Sequence, residues 1–401
     1  MRKCSWIFFI LTCMQLHAQK FDSMASTPPM GWNSWNTFQT KINETLVMQI
    51  ADDMLSSGMV AAGYQYIVLD DGWMSMKRDS VGNLVADPEK FPHGMKALAA
   101  YIHGKGLKFG LYDCVGTKTC AGYPGARGYE YQDARLYASF DVDYLKFDWC
   151  SSTGLNAIEA YGTMCKALRA AGRPLIFSVC EWGSNKPWDW ASQYAQLWRT
   201  TGDIYQVFDS TKDFGTWKAN GVMRILDLQK GLRKYAGPNH WNDPDMMEVG
   251  NGMTQSEDRA HFSMWCMIAA PLIAGNDLRN MSSSTKEILL NKDIISIDQD
   301  PLGVEGFQYA LRNGVEIWCK PLQKGDWAFC FLNRSAEARQ LQFDWKKEMV
   351  EDSISSRSLN AAAREYSILD LWTKENKGTT ASIFDVHVPS HDVVMLRLKS
   401  H

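Results

Sequence analysis

The sequence predicts an α/β chain: a (β/α)8 TIM barrel followed by a C-terminal antiparallel β-sandwich domain. Three observations predict it. From about residue 28 to 300, short apolar strands alternate with amphipathic helical stretches eight times. Acidic side chains recur where each strand gives way to its loop, as they do when strand ends converge on one barrel mouth. After "DQDPLG", residues 298–303, the texture changes to period-two strands without long helices. An open doubly wound sheet fits less well, because no glycine-rich phosphate loop follows any strand.

The barrel strands read, in order, "PPMGWNSW", "YQYIVLDD", "LKFGLYD", "YLKFDWC", "LIFSVCEW", "QLWRTTGD", "AGPNHWND" and "PLIAGNDL", each an apolar run of strand length. Between them "ETLVMQIADDMLSSGM", "MKALAAYIHGKG", "YQDARLYASF" and "SEDRAHFSMWCMI" place apolar residues at helical spacing. The C-terminal strands are "VEIWCK", "WAFCFLN", "QLQFDW", "SILDLW" and "DVVMLRL". "EIWCKPLQKGDWAFCFL" predicts a hairpin turning at Lys324 and Gly325, a register that sets Cys319 opposite Cys330 and allows a cross-strand disulfide. The expected domains are a signal peptide over 1–18, the barrel over 19–302 and the β domain over 303–401.

The leader assignment rests on Arg2 and Lys3, the run "WIFFILTCM", and Ala18 before the expected cleavage point. The mature chain is therefore expected to be exported, periplasmic or secreted, with no membrane span after the leader. Cys13 as a lipid anchor is disfavoured by Thr12, which is larger than the residue usual before such a cysteine. Ten cysteines fall to eight without the leader, and outside the cytosol some should pair. A net charge of -3 without a basic run excludes an electrostatic footprint for nucleic acid. With no CxxC pair and few, spread histidines, neither a metal nor an organic cofactor is expected.

The expected mouth carries Asp70, Asp71, Asp113, Asp148, Glu181, Asp203, Asp243, Asp245 and Asp277, interleaved with Trp32, Trp35, Trp73, Trp149, Trp182 and Trp241. Carboxylates accept hydrogen bonds from hydroxyls and aromatic rings stack on sugar faces, so the mixture favours a carbohydrate over a metal site or a structural charge network. Glycoside cleavage needs two carboxyl groups, one as nucleophile or base and one as acid. On "YLKFDWC", Lys146 and Asp148 share a strand face, so Lys146 is expected to hold Asp148 ionised as nucleophile, against a plain buried ion pair. Asp203, with Arg199 four residues before it, is either the general acid or a helix N-cap. Asp70 and Asp71 are expected to fan over neighbouring sugar hydroxyls.

"PPMGWNSWNTF", "YIVLDDGW", "GLKFGLYDC", "DYLKFDWC", "CEWG", "WRTTGDI", "WNDPDMMEVGN", "APLIAGNDLR" and "IDQDPLGVEG" together resemble the glycoside hydrolase family 27 α-galactosidases, in order, over roughly residues 28 to 306. The resemblance implies a retaining exo-glycosidase that acts on terminal α-D-galactosyl groups of oligosaccharides or polysaccharides through a covalent intermediate. It implies Asp148 as nucleophile and Asp203 as general acid/base. Asp70, Asp71 and Lys146 match hydroxyl-binding positions, Arg199 and Asp245 the 2- and 3-hydroxyl side, and Trp35 and Trp182 pocket walls. Cys120 and Cys150 match a disulfide beside the nucleophile. Glu181 in "CEWG" and the intact "DDGW" resemble the galactosidase pattern more than the α-N-acetylgalactosaminidases or β-L-arabinopyranosidases, which stay as alternatives beside an inactive sugar binder. Gly72, Cys114 and Cys180 depart from the disulfide pattern of animal members. The oligomeric state is open.

Overall fold

The computed structural model describes residues 20–400. The leader expected over residues 1–18, with Cys13, lies outside the described residues. Eight strands form the first sheet: β1 (Met30–Asn33), β2 (Tyr66–Val68), β3 (Lys108–Cys114), β4 (Tyr144–Asp148), β5 (Ile176–Cys180), β6 (Leu197–Arg199), β7 (Trp241–Asp243) and β8 (Leu272–Ala274). All neighbours pair in parallel, in the order β8-β1-β2-β3-β4-β5-β6-β7. A parallel bridge from Met247 to Ala274 joins the two ends and closes the barrel.

Strand alternation sorts the side chains. Tyr66, Val68, Tyr144, Ile176, Leu197 and Trp241 pack together inside the barrel. Their neighbours Ile67, Leu111, Leu145, Phe147, Val179 and Trp198 point outward and join the helix-packed core. Gly31 allows β1 to lie close to β2, since a Cβ there would fall 2.5 Å from the Tyr66 carbonyl oxygen. The helices begin where polar side chains can cap them. Asn43 accepts from the Leu46 N–H to start Glu44–Ser56, whose Leu46, Val47, Ile50, Ala51 and Met54 face the barrel core. Asn156 does the same for Ala157–Ala171, and Gly172, at φ 81°, ends it.

The last barrel-side helix ends at Asp298 and the second sheet begins at Phe307. That sheet is six-stranded and antiparallel, with Trp327–Asn333 and Asp392–Ser400 at its centre. One face, with Ile317, Phe329, Phe331, Leu396 and Leu398, packs on Phe343, Val350, Leu359 and Val386 from two small two-stranded sheets and on Trp345 from the short helical turn between them. The opposite face, with Ala328, Cys330, Leu332, Val393 and Met395, belongs to the barrel's own core. The helix Gln255–Met267 lies between the domains and is buried on nearly every side, including Asp258, His261 and Ser263. Its Thr254 cap is reciprocated by Glu257.

The proposed cross-strand disulfide does not form. The turn is a three-residue element, Gln323–Gly325, with Lys324 at φ 63° and Gly325 at φ 83°, and it pairs Cys319 with Phe329 and Cys330 with Trp318. A one-residue difference in register moves a side chain to the other face. Cys319 therefore lies in the sandwich core and Cys330 against the barrel, both as buried free thiols.

The domain junction also buries charge. Lys320 donates to the Cys266 carbonyl at 3.0 Å, and burial pushes the carboxyls of Asp298 and Glu305 up to about 8. The unfolded chain would release those protons near the ordinary carboxylate values, about 4. The folded state thus holds protons the unfolded state loses, so this contribution to stability is full below about pH 4 and declines as pH rises through about 8. The thermal midpoint is expected to fall by several degrees between pH 5 and pH 9, and Asp298→Asn to flatten that slope in calorimetry. A slope unaltered by the substitution would remove Asp298 from this account.

Candidate active site

The site is assembled at the C-terminal ends of the strands, as barrel geometry requires. In the middle of β4, Lys146 reaches across to the loop that follows β2, where its Nζ lies 2.8 Å from Asp70 Oδ2. Asn33, at the end of β1, donates to the same oxygen at 2.8 Å. Asp71 turns aside from Asp70 and accepts from the Ala121 N–H at 2.8 Å, leaving its buried Oδ1 unpaired. That free acceptor is available to a ligand hydroxyl.

Two positions along β4 from Lys146, Asp148 receives Tyr112 Oη at 3.0 Å on Oδ2 and the Trp149 N–H at 2.8 Å on Oδ1. Tyr112 stands on β3 directly opposite Lys146, so one strand register aims all three groups into the same space. The Asp148 carboxyl is pushed up to about 7, chiefly by burial, with Lys146 opposing and Asp203 and Asp70 adding repulsion. Lys146 does pull this carboxyl down, as expected, but its direct partner is Asp70 and burial outweighs the pull, so the net shift is upward.

Arg199, the last residue of β6, is buried and holds two acids with one nitrogen: Asp245 Oδ2 at 2.8 Å and Asp203 Oδ1 at 3.1 Å. Its Nε has no partner. Asp245 adopts φ 93°, a conformation rare for a residue with a side chain, and is pinned there by Asp243 Oδ1, which accepts its N–H at 2.9 Å. Asp245 in turn accepts from the Met246 and Ile204 N–H groups. No helix follows Asp203 directly; Ile204 instead bridges Asn220, which excludes the helix-cap role. Asp203 keeps a 40% exposed side chain, in contrast to Asp148 at 6% exposure for the residue.

Asp148 and Asp203 face a single pocket, together with Trp35, Asp70, Asp71, Lys146, Trp182, Arg199 and Asp245. Cys120 and Cys150 are bonded to one another, with Cα atoms 5.2 Å apart, and the Cys120 sulfur lies 3.7 Å from Asp148 Oδ2. Glu181 is the predicted residue that does not reach the pocket. It is fully buried and accepts from both the backbone and the side-chain nitrogen of Asn185, each at 2.6 Å, so it braces the loop that presents Trp182.

Other strand-end residues also take structural places. Trp32, Trp73 and Trp241 are fully buried, and Trp73 Nε1 donates to the Tyr112 carbonyl. Asp113 accepts from Tyr137, and Asp277 caps a short helical turn and pairs with Arg279. Asp243 anchors Asp245 from behind the pocket. Tyr112 and Asn36 line the pocket without having been expected there. Alternation along "GLYDC", applied as it was to β4, was the signal for Tyr112.

A model of the family described as alpha galactosidase A matches residues 27–300, and one described as the alpha galactosidase C-terminal beta sandwich domain matches 312–398. The chain is 51% identical over 389 residues to alpha-galactosidase A of Cellvibrio japonicus, covering 97% of this chain and 96% of that protein. It is 42% identical over 372 residues to the alpha-galactosidase of Cyamopsis tetragonoloba, covering 92% and 85%. Among solved structures, the Saccharomyces cerevisiae α-galactosidase with raffinose superposes with a TM-score of 0.87 at 30% identity, over 96% of this chain and 100% of that one.

Proposed function

The chain belongs to the alpha galactosidase A family and is an α-galactosidase, and we propose that it releases terminal, non-reducing α-D-galactose with retention, through Asp148 and Asp203. The supporting observation is that two carboxyl groups of opposite exposure face one pocket. Asp148 is buried and fixed by two donors, as suits an attacking group of defined direction. Asp203 is open to solvent, as suits a group that must give a proton to the departing oxygen and then take one from water.

In the first step Asp148 attacks the anomeric carbon while Asp203 protonates the glycosidic oxygen, and the aglycone leaves. In the second, Asp203 deprotonates a water that displaces Asp148. Asp70, Asp71 and Lys146 bind hydroxyls on one side of the ring, Arg199 and Asp245 on the other, and Trp35 and Trp182 form walls. The natural substrate is an α-galactoside oligosaccharide or polysaccharide.

We assign residues 1–18 to a cleaved export signal, 19–302 to the barrel domain and 303–401 to the β domain. Among the described residues no helix is long and apolar enough to cross a membrane. N-terminal sequencing of the mature protein tests the cleavage.

The activity test is a comparison of p-nitrophenyl α-galactoside with the α-N-acetylgalactosaminide and the β-L-arabinopyranoside, with NMR of the first anomer released. Faster turnover of the galactoside and initial α-galactose are expected. Initial β-galactose would overturn retention, and equal or faster turnover of either other glycoside would overturn the substrate.

A further inference from the structure

Where the barrel closes, a buried carboxyl group stands that the reaction above does not use. Glu248 lies in the loop after β7 and is 1% exposed, and among the described residues no lysine or arginine pairs with it. Two amides meet it instead: Asn36 Nδ2 donates to Oε1 and Asn251 Nδ2 to Oε2. Burial pushes this carboxyl up to about 7, against the pull of both amides. Its backbone is fixed as well, since the Glu248 N–H donates at 3.0 Å to His261 Nε2 on the helix between the domains. A buried acid is a costly way to fasten loops. Here the loops are already fastened by other bonds: Met247 bridges Ala274, and Thr37 Oγ1 donates to the Gly275 carbonyl at 2.6 Å.

What Glu248 adds is the orientation of Asn36. That residue belongs to the turn Trp35–Phe38, which begins where the Trp35 N–H donates to Asn33 Oδ1 at 2.8 Å. Asn33 is the same side chain whose nitrogen holds Asp70. Asn36 is half-buried and lines the catalytic pocket with Trp35, Asp245 and Met246. A primary amide has a donor end and an acceptor end. With Nδ2 committed to Glu248, the remaining end is Oδ1, which accepts from no group among the described residues. The loop that carries Asp245 thus also carries the carboxylate that sets which end of Asn36 is free.

We propose that Asn36 is a further hydroxyl-binding residue of the pocket and that Glu248 is its positioning residue: the buried carboxylate takes the amide nitrogen and leaves the amide oxygen to accept from one hydroxyl of the galactosyl group. The inference rests on the reading of this pocket as the galactosyl site. Glu248 itself touches no sugar; its part is to hold a neutral acceptor in one orientation, so that no reorientation is needed when the substrate enters.

The test measures kcat/KM on p-nitrophenyl α-galactoside and on its 2-, 3-, 4- and 6-deoxy analogues. Asn36→Ala is expected to lower the value for the parent about fivefold, the worth of one uncharged hydrogen bond. Three of the analogues should fall by the same factor, and the one that lacks the hydroxyl met by Asn36 should not fall at all. A uniform fall over parent and analogues, or none on the parent, overturns the proposal. The positioning role is tested by exchanging donor and acceptor. Glu248→Gln alone leaves one acceptor for two incoming amides, and Asn36→Asp alone sets two carboxylates together, so each should lose as much as Asn36→Ala. Combined, they let the new amide donate to the new carboxylate and should restore kcat/KM to within about twofold of wild type. A double variant no better than the single ones overturns the role of Glu248. If every variant shifts only the thermal midpoint, the network is a seam of the barrel and the proposal is again overturned. A wild-type enzyme that does not cleave the parent galactoside overturns the reading of the pocket instead, a distinct result.

Discussion

Asp148→Gly is expected to lower kcat on p-nitrophenyl α-galactoside by about 10³-fold or more, because it removes the group that forms the covalent intermediate. The glycine leaves a space beside Tyr112 and the Trp149 N–H into which a small anion can enter from the same direction. Azide should therefore restore part of the turnover and yield β-galactosyl azide, the product of a single inversion. The absence of both rescue and that product would remove Asp148 from the nucleophile role.

Asp203→Ala should behave in the opposite sense. Loss of a general acid costs about 10²- to 10⁴-fold where the leaving group needs a proton, and much less where it does not. Raffinose turnover is expected to collapse while α-galactosyl fluoride stays a serviceable substrate. Azide, which needs no base, should intercept the galactosyl-enzyme and yield α-galactosyl azide. The same anion thus gives opposite anomers with the two variants, and identical anomers would mean that the two roles are wrongly divided. Exposure underlies the contrast, because only Asp203 has the open surface a proton carrier needs.

Most of this site was legible wherever a strand could be read with its two-residue period. "YLKFDWC" put Lys146 and Asp148 on one face, and β4 carries them so. The same period would have excluded Trp32, which alternates with the inward Asn33 and points to the helices. For Trp241 the difficulty was depth, because it shares the interior with Tyr144 and Leu197 below the level of Arg199. Glu181 was misplaced because the regular strand stops at Cys180 and Trp182 turns to φ 61°, so alternation no longer says which neighbour faces the sugar.

The hairpin between Pro321 and Trp327 was found, but its register was not. A positive φ at Lys324 cannot be read from a lysine, and the resulting offset of one separated two cysteines that spacing alone had brought together. The Asp148 carboxyl shows a different limit. Its neighbour Lys146 was visible in the sequence, but the burial that outweighs that neighbour comes from the closed barrel.

The helix Gln255–Met267, buried on both its barrel and its sheet side, has a consequence for how the molecule is made. Its outer cover includes Asp392–Ser400, the last described strand, through Asp392 to Arg259 and the strand's buried face. During synthesis all eight barrel strands leave the ribosome about 120 residues before that cover exists. Until then one side of that helix lacks the cover this strand supplies, a surface suited to a chaperone, and the junction between the domains is complete only when Asp392–Ser400 has been translated.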